Sequence, residues 1–196
     1  MIDNFEIIGK LLTFESEDDY YFVQILMRSK DNPDLGSNNR LIKNYAIKSI
    51  KDLIKSKSEI ITLCNTFRAR AYIHLTKRSF KAVALLMMKG LVDRISSNQC
   101  SEIKRCFNSA SGEYNSHNNK TWVVDVDNTD ITEVDNIIQY IDSNCLPIGI
   151  KCQTIIKTLN GFHIITAPFN VDQFRMKYCG IDIHKNNPTN LYTPCL

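Results

Sequence analysis

Thr121-Trp-Val-Val-Asp-Val-Asp-Asn128 is a short run of aromatic and β-branched residues that ends in two acids. Side chains alternate across a strand, so Asp125 and Asp127 share one face while Trp122, Val124 and Val126 share the other. Two neighbouring carboxylates repel and raise one another's pKa, and a divalent cation bound through oxygen relieves the repulsion. The plainer reading of the same residues is a strand end that opens a turn through Asn128-Thr-Asp130. The surroundings of the run in the fold decide between the two.

Downstream, the pattern is orderly. A helix is predicted over about Thr132 to Ser143, with Val134, Ile137, Ile138 and Ile141 as its apolar stripe and Thr132 with Asp135 at its start. Ile150 to Thr158 and Phe162 to Pro168 read as two strands around Leu159-Asn-Gly161, a strong hairpin signal. A short helix over Val171 to Tyr178 leads to two short strands, Gly180 to His184 and Asn190 to Thr193, joined by an Asn/Pro turn. The order β-α-β-β-α-β predicts an α+β fold with a ferredoxin-like, RRM-like lobe over 121–196. In such a sheet the first strand lies between the third and fourth. Asp125 and Asp127 are then neighbours of His163 and Asp182, on the face away from the helices.

Upstream, residues 1–110 read as a smaller α/β lobe packed against the first, with 111–120 as a loop between them. Tyr20-Tyr-Phe-Val-Gln-Ile-Leu-Met27 is apolar and fits a strand or a helix. Lys43 to Lys57 fits a helix, or a strand and then a helix, with Ile47, Ile50, Leu53 and Ile54 on one face. Thr66 to Leu75 alternates as a strand: Arg68, Arg70, Tyr72 and His74 on one side, Ala69, Ala71, Ile73 and Leu75 on the other. The cationic, aromatic side suits phosphate contact and base stacking, and Lys77 and Arg78 follow it. A helix over Lys77 to Ser96 is predicted to bury Phe80, Val83, Ala84, Met87, Leu91 and Ile95. Ser97 to Lys120 is polar and reads as linker.

Composition narrows the classes. The 196 residues suffice for one domain or two small lobes sharing an interface. No apolar run is as long as a membrane span, and the start Met1-Ile-Asp-Asn-Phe-Glu is unlike a signal peptide, so a cytoplasmic protein is expected. Seven irregularly spaced cysteines fit reduced thiols better than a disulfide framework. Cys100, Cys106 and His117 share a polar stretch but lack the paired spacing of a zinc site. Net charge is only +3, yet residues 40–110 carry fifteen basic side chains against four acids. A basic block opposite an acidic cluster suits a protein that handles polyanions; a solvated charged face is the plainer alternative.

Three carboxylates and a histidine on one sheet face suit two-metal phosphoryl chemistry, in which metals held by Asp125, Asp127 and Asp182 activate a hydroxyl and neutralise triphosphate charge. His163 is placed to hold a phosphate oxygen, and Gly161 to let backbone approach the phosphates. Singly, each has an ordinary explanation: a core histidine, a hairpin glycine, a loop acid.

Val123-Val-Asp-Val-Asp127, Thr158-Leu-Asn-Gly-Phe-His-Ile-Ile165, and Gly180-Ile-Asp-Ile-His184 with Asn190-Leu-Tyr-Thr-Pro194 together resemble the three motifs of the archaeo-eukaryotic primase superfamily. The closest likeness is to the primase-polymerase domains of plasmids and phages, over about the last seventy-five residues. The resemblance implies a metal-dependent nucleotidyltransferase that copies single-stranded DNA. Asp125, Asp127 and Asp182 would bind two Mg2+ or Mn2+ ions, and His163, Gly161, Thr158 and His184 would contact a nucleoside triphosphate. Arg68, Arg70, Tyr72, His74, Lys77 and Arg78 would serve template or phosphate. Glycine stands at 161 where many members have serine, and the sequence stops just after the third motif, so two alternatives are open: a separate replicative helicase is a partner, or the sequence is a fragment. Two other readings compete. One is a haloacid-dehalogenase-type phosphatase, which Asp125-Val-Asp-Asn-Thr129 also matches but which needs parallel strands at that motif. The other is a non-catalytic replication-initiation or nucleic-acid-binding module.

Overall fold

Strand β2 (Asp19–Met27) settles the ambiguity of the apolar run near the N-terminus, because it is buried on both faces of a sheet. Tyr21, Val23 and Ile25 enter one core cluster, while Tyr20 and Phe22 enter another. A strand covered on both sides loses the alternation that marks a half-exposed one, so periodicity alone left helix open. The computed structural model describes residues 1–114, 120–186 and 188–195. Among these are six α-helices and two antiparallel sheets, an α+β fold.

The first sheet comprises β1 (Ile2–Asp3), β2, β3 (Arg40–Ile47), β4 (Arg70–Ile73), β5 (Arg78–Ser79) and β10 (Thr189–Thr193). Its order is β1-β10-β4-β2-β3, with β5 paired to β2. Helices α1 (Phe5–Leu11) and α2 (Ile50–Thr66) supply Phe5, Ile8, Leu53, Ile60 and Cys64 to the core cluster on one face. Ser49 caps α2 by accepting from the Asp52 amide at 3.1 Å. The apolar face predicted for this region holds only in part: Ile47 belongs to β3, and Ile50 and Ile54 are exposed. Helices α3 (Phe80–Ser96) and α4 (Cys106–Glu113) cover Tyr20 and Phe22 through Val83 and Ala110.

The second sheet comprises β6 (Trp122–Val126), β7 (Cys152–Lys157), β8 (Phe162–Thr166) and β9 (Asp182–His184), in the order β7-β8-β6-β9. Helix α5 (Ile131–Asn144) lays Val134, Ile137 and Ile141 on one face of it, and α6 (Val171–Arg175) adds Phe174. Trp122, Val124 and Val126 lie under these helices, as the alternation requires. The α5 cap is Asp130, which accepts from the Thr132 amide at 2.9 Å, two residues ahead of the predicted start.

The other face of the second sheet is not open. Val123, Ile156 and Ile165 belong to the same cluster as the core of the first sheet, so the two sheets share buried surface. Asn4 reinforces the junction: its side-chain amide donates to the carbonyls of Lys157 and Asn190, each at 2.9 Å.

Three expectations change. The strand at 189–193, assigned from sequence to the lobe spanning 121–196, pairs with β4 and β1 instead. All five of its residues are buried, which the edge of a small sheet does not provide. The polar stretch 97–120 is not a bare linker, since a 3-10 turn (Cys100–Arg105) and α4 occupy much of it, and residues 115–119 lie outside those described. Helix α3 buries only Val83 fully, with Phe80 and Met87 packed beside it; Ala84 and Ile95 are exposed.

Candidate functional site

Asp125 stands at the middle of the second sheet because β6 has a partner on each side. Register places His163 of β8 opposite it on one flank and Asp182 of β9 opposite it on the other. Directly opposed residues of antiparallel strands project to the same face, which brings three residues distant in sequence together. His184 lies opposite Val123, on that face one step along.

The face opens into a cleft of about 390 Å3 between the two sheets. One wall carries Asp125, Asp127, Thr158, Asn160, His163 and His184; the other carries Leu26, Arg28, Arg70, Tyr72 and Asn190. Nε2 of His163 is 3.3 Å from Oδ1 of Asp125, and Nε2 of His184 is 3.8 Å from Oδ2. The first is a hydrogen bond and the second a longer charge contact. The bond from His163, with the charges of both histidines, holds the Asp125 carboxyl below the usual carboxylate range against the opposing effect of its partial burial. Nδ1 of His163 is 2.8 Å from Oγ1 of Thr189 on β10. With Nε2–H turned to Asp125, that hydroxyl donates to a neutral ring and accepts from a charged one, so the ring keeps both partners in either state.

Gly161 does not line the cleft. A β-carbon there would sit 2.0 Å from the Val126 carbonyl oxygen and 2.7 Å from the Asn128 amide. Its bare α-carbon is the seat of the β7–β8 hairpin against the segment that carries Asp127. Thr158 closes the same turn: its amide donates to the Gly161 carbonyl at 2.9 Å and its hydroxyl accepts from the Gly161 amide at 3.1 Å. The direct phosphate contact expected of Gly161 is replaced by a positioning role.

Asp127 follows the end of β6 and is exposed at the cleft. Asp182, though in register with Asp125, is exposed and does not line the cleft. Among the described residues, no three His, Cys, Asp or Glu side chains are grouped to hold a metal ion. The donor set fits a different mode: Mg2+ typically uses one or two carboxylates and takes its remaining ligands from water and substrate phosphate. Asp125 and Asp127, both on the acidic wall, meet that requirement. Of the cysteines considered for zinc, Cys106 is buried and Cys100 exposed, and His117 lies outside the described residues.

The cationic group separates. Tyr72 and Arg70 line the cleft as expected, but Arg70 is held by Asp31 through bonds of 2.7 and 2.5 Å. Arg68 precedes the strand at φ 44° and is exposed at the turn. His74 and Arg78 are buried, and so cannot meet a template. The chain leaves β4 after Ile73, the alternation stops there, and His74 turns its ring toward Phe22. Burial and the neighbouring Arg78 push the His74 pKa down to about 3. Arg78 donates to the carbonyls of Ser111 and Thr76 at 2.5 and 2.6 Å, with Phe22 beneath it. Lys77 is neutralised by Asp19 and Glu15 at 3.0 and 3.2 Å.

Arg28 was not anticipated. It lines the cleft, donates to the Tyr72 hydroxyl at 3.3 Å, and makes no ion pair among the described residues. Its only signal in the sequence is its place just after the β2 run. Thr189 and Asn190 were missed as site residues because their sheet was misassigned.

A search of protein-family models, of curated proteins and of solved structures gave no significant match. Among the described residues no helix is long and apolar enough to cross a membrane.

Proposed function

We propose that the chain is a metal-dependent nucleotidyltransferase of primase-polymerase type, acting on nucleoside triphosphates and a single-stranded DNA template. One observation carries the reading: two acids and two histidines converge on one wall of a cleft whose other wall presents Arg28, Tyr72 and Asn190. The order β7-β8-β6-β9, with helices α5 and α6 on one face, agrees with the arrangement expected of a ferredoxin-like, RRM-like β-α-β-β-α-β unit. It supports the resemblance noted from the motifs. Both neighbours of β6 are antiparallel, which disfavours the phosphatase reading.

In this reading Asp125 and Asp127 hold Mg2+ or Mn2+ together with the triphosphate, with Asp182 adjoining from β9. The bound cation neutralises phosphate charge and lowers the pKa of an attacking hydroxyl. The lowered pKa of Asp125 keeps it an anion throughout the neutral range. His163, fixed between Thr189 and Asp125, supplies a positioned ring at the phosphates rather than a free base. Arg28 attracts the polyanion, and Tyr72 offers a ring for stacking.

The non-catalytic module shares this cleft, and the position of Asp182 outside it, which leaves two of the three expected carboxylates there, favours that reading. The two readings separate in one experiment. Asp125→Ala with Asp127→Ala abolishes Mn2+- or Mg2+-dependent primer synthesis on single-stranded DNA while largely sparing DNA binding. Synthesis that survives the double substitution refutes the assignment, and wild-type binding without synthesis supports the module.

A further inference from the structure

The cleft continues into a second space. Asn39, which lines it, also lines a cavity of about 610 Å3 bounded by Asn38, Leu41, Arg105, Asn108 and Ser109. Leu26 of the cleft and Leu41 of this cavity are directly opposed on β2 and β3, so the two spaces share a floor. A nucleoside triphosphate needs only the first space. The second extends it into a trough across the first sheet, ending at the gap between β3 and α4.

The lining changes character along β2. Phe22 and Ala46, opposed on β2 and β3, lie under the cover of α3 and α4. The next row on that face is polar: Asn190, Tyr72, Gln24 and Asn44 are opposed in turn across β10, β4, β2 and β3. Asn44 is tied by a hydrogen bond to Asn108 of α4. Gln24 is different: it is half-buried inside a central strand, and its side-chain amide has no hydrogen-bond partner among the described residues. An amide left short of partners costs free energy that an aliphatic side chain there would not. Beside this row lies the leucine floor. An aliphatic floor edged by amides matches an unpaired nucleobase, which has an apolar face and a polar edge. The residues lining the second cavity include no acid, and Arg105 stands exposed at its end, paired on the surface with Glu102 at 3.1 Å.

We propose that this trough carries single-stranded DNA out of the cleft, with bases on Leu26 and Leu41, their edges toward Gln24 and Asn108, and the outlying phosphates at Arg105. The proposal rests on the reading of the cleft as a nucleotidyltransferase site, and gives its template a path. Four strands about 4.8 Å apart span about 14 Å, room for about four nucleotides at the roughly 3.4 Å rise of a stacked strand. A duplex does not fit this lining, because pairing and stacking occupy the edges and faces of its bases.

Fluorescence anisotropy with labelled oligodeoxynucleotides of about four, eight and twenty nucleotides tests it. Wild-type affinity rises about tenfold or more between the two shorter strands and then levels off. Gln24→Leu with Arg105→Ala removes the gain, so the longest strand binds no tighter than the shortest. Arg105→Ala alone, a surface change, lowers the gain about threefold. Urea unfolding shows Gln24→Leu to be at least as stable as wild type, which a structural role for the amide would not allow. Affinity that does not rise with length overturns the trough, as does a gain that survives both changes or a duplex that competes as well as the single strand. Primer synthesis alongside any of those results leaves the enzyme assignment standing. A length gain lost in the double variant, in a protein that makes no primer, keeps the trough and overturns the enzyme reading.

Discussion

Replacing Gly161 with alanine tests the architecture of the cleft without touching any group that contacts a ligand. The added methyl would lie 2.0 Å from the Val126 carbonyl oxygen, 2.7 Å from the Asn128 amide and 2.9 Å from the Asn128 carbonyl oxygen. All three are backbone atoms, so no side-chain rotation relieves the clash. To restore an ordinary contact of 3.4 Å, the hairpin and the end of β6 must separate by about 1.4 Å along that line. Overpacking of this kind costs about 2–3 kcal/mol. For a chain of this size that lowers the melting temperature by roughly 4–12 °C. Gly112, where nothing lies within 4 Å and the backbone is helical, is the internal control. Alanine there is expected to be neutral or to stabilise by up to about 1 kcal/mol. Because the strand end that moves carries Asp127, a displacement above 1 Å also reduces the proposed synthesis by about a hundredfold in surviving folded protein. Urea unfolding of the two variants beside the wild type reads the stability directly. A Gly161→Ala protein within about 0.5 kcal/mol of wild type would refute the close approach on which this reasoning rests.

Arg70→Ala leaves the nearly buried Asp31 carboxylate, 9 % exposed, without its partner. It is expected to cost about 3 kcal/mol in urea unfolding; a loss under 1 kcal/mol would show the pair to be solvated. Arg28→Ala should leave stability almost unchanged but weaken single-stranded DNA binding and flatten its salt dependence, and an unaltered salt slope removes Arg28 from the polyanion contact. Asp125→Asn is expected to be less stable than wild type at neutral pH. Because the folded-state pKa of Asp125 is depressed, that advantage of the wild type is present above the unfolded value of about 3.9 and is lost as pH falls through the lower folded value. Unfolding curves at pH 7 and pH 3 check it: a gap that does not narrow in acid means the carboxylate contributes nothing through its charge.

The second sheet was legible in the sequence because each of its signals was local. The alternation in β6, the Asn-Gly turn and the 3.6-residue stripe of α5 each depend on nearby residues, and together they specify which strands flank β6. The neighbours of Asp125 followed from topology alone. What stayed hidden was decided by pairings across long separations. The partner of β10 lies more than a hundred residues away, and nothing within residues 189–193 distinguishes an edge of one sheet from the interior of another. Arg70, Arg78 and Lys77 read alike as basic residues, yet one is salt-bridged at the cleft, one is buried and one is neutralised on the surface. Their environments come from Asp31, Ser111, Asp19 and Glu15, none of them recognisable in advance as partners. Arg28, the cleft cation that no acid neutralises among the described residues, had no pattern around it at all.

The interleaved first sheet constrains the order in which the protein can be assembled. Strand β1 has β10 as its hydrogen-bonding neighbour, and β10 also completes one side of β4. Both must wait for a segment that follows the entire second sheet in the chain. As the polypeptide leaves the ribosome, residues 122–184 can form their hairpin, helices and strands as one block while β1 and β4 still present bare amide edges. A fragment of residues 1–110 keeps those edges permanently and is expected to self-associate rather than fold as a soluble unit. Supplying a peptide of residues 186–196 in trans would cap them, which makes the two sheets separable in sequence only if the last strand travels with the first.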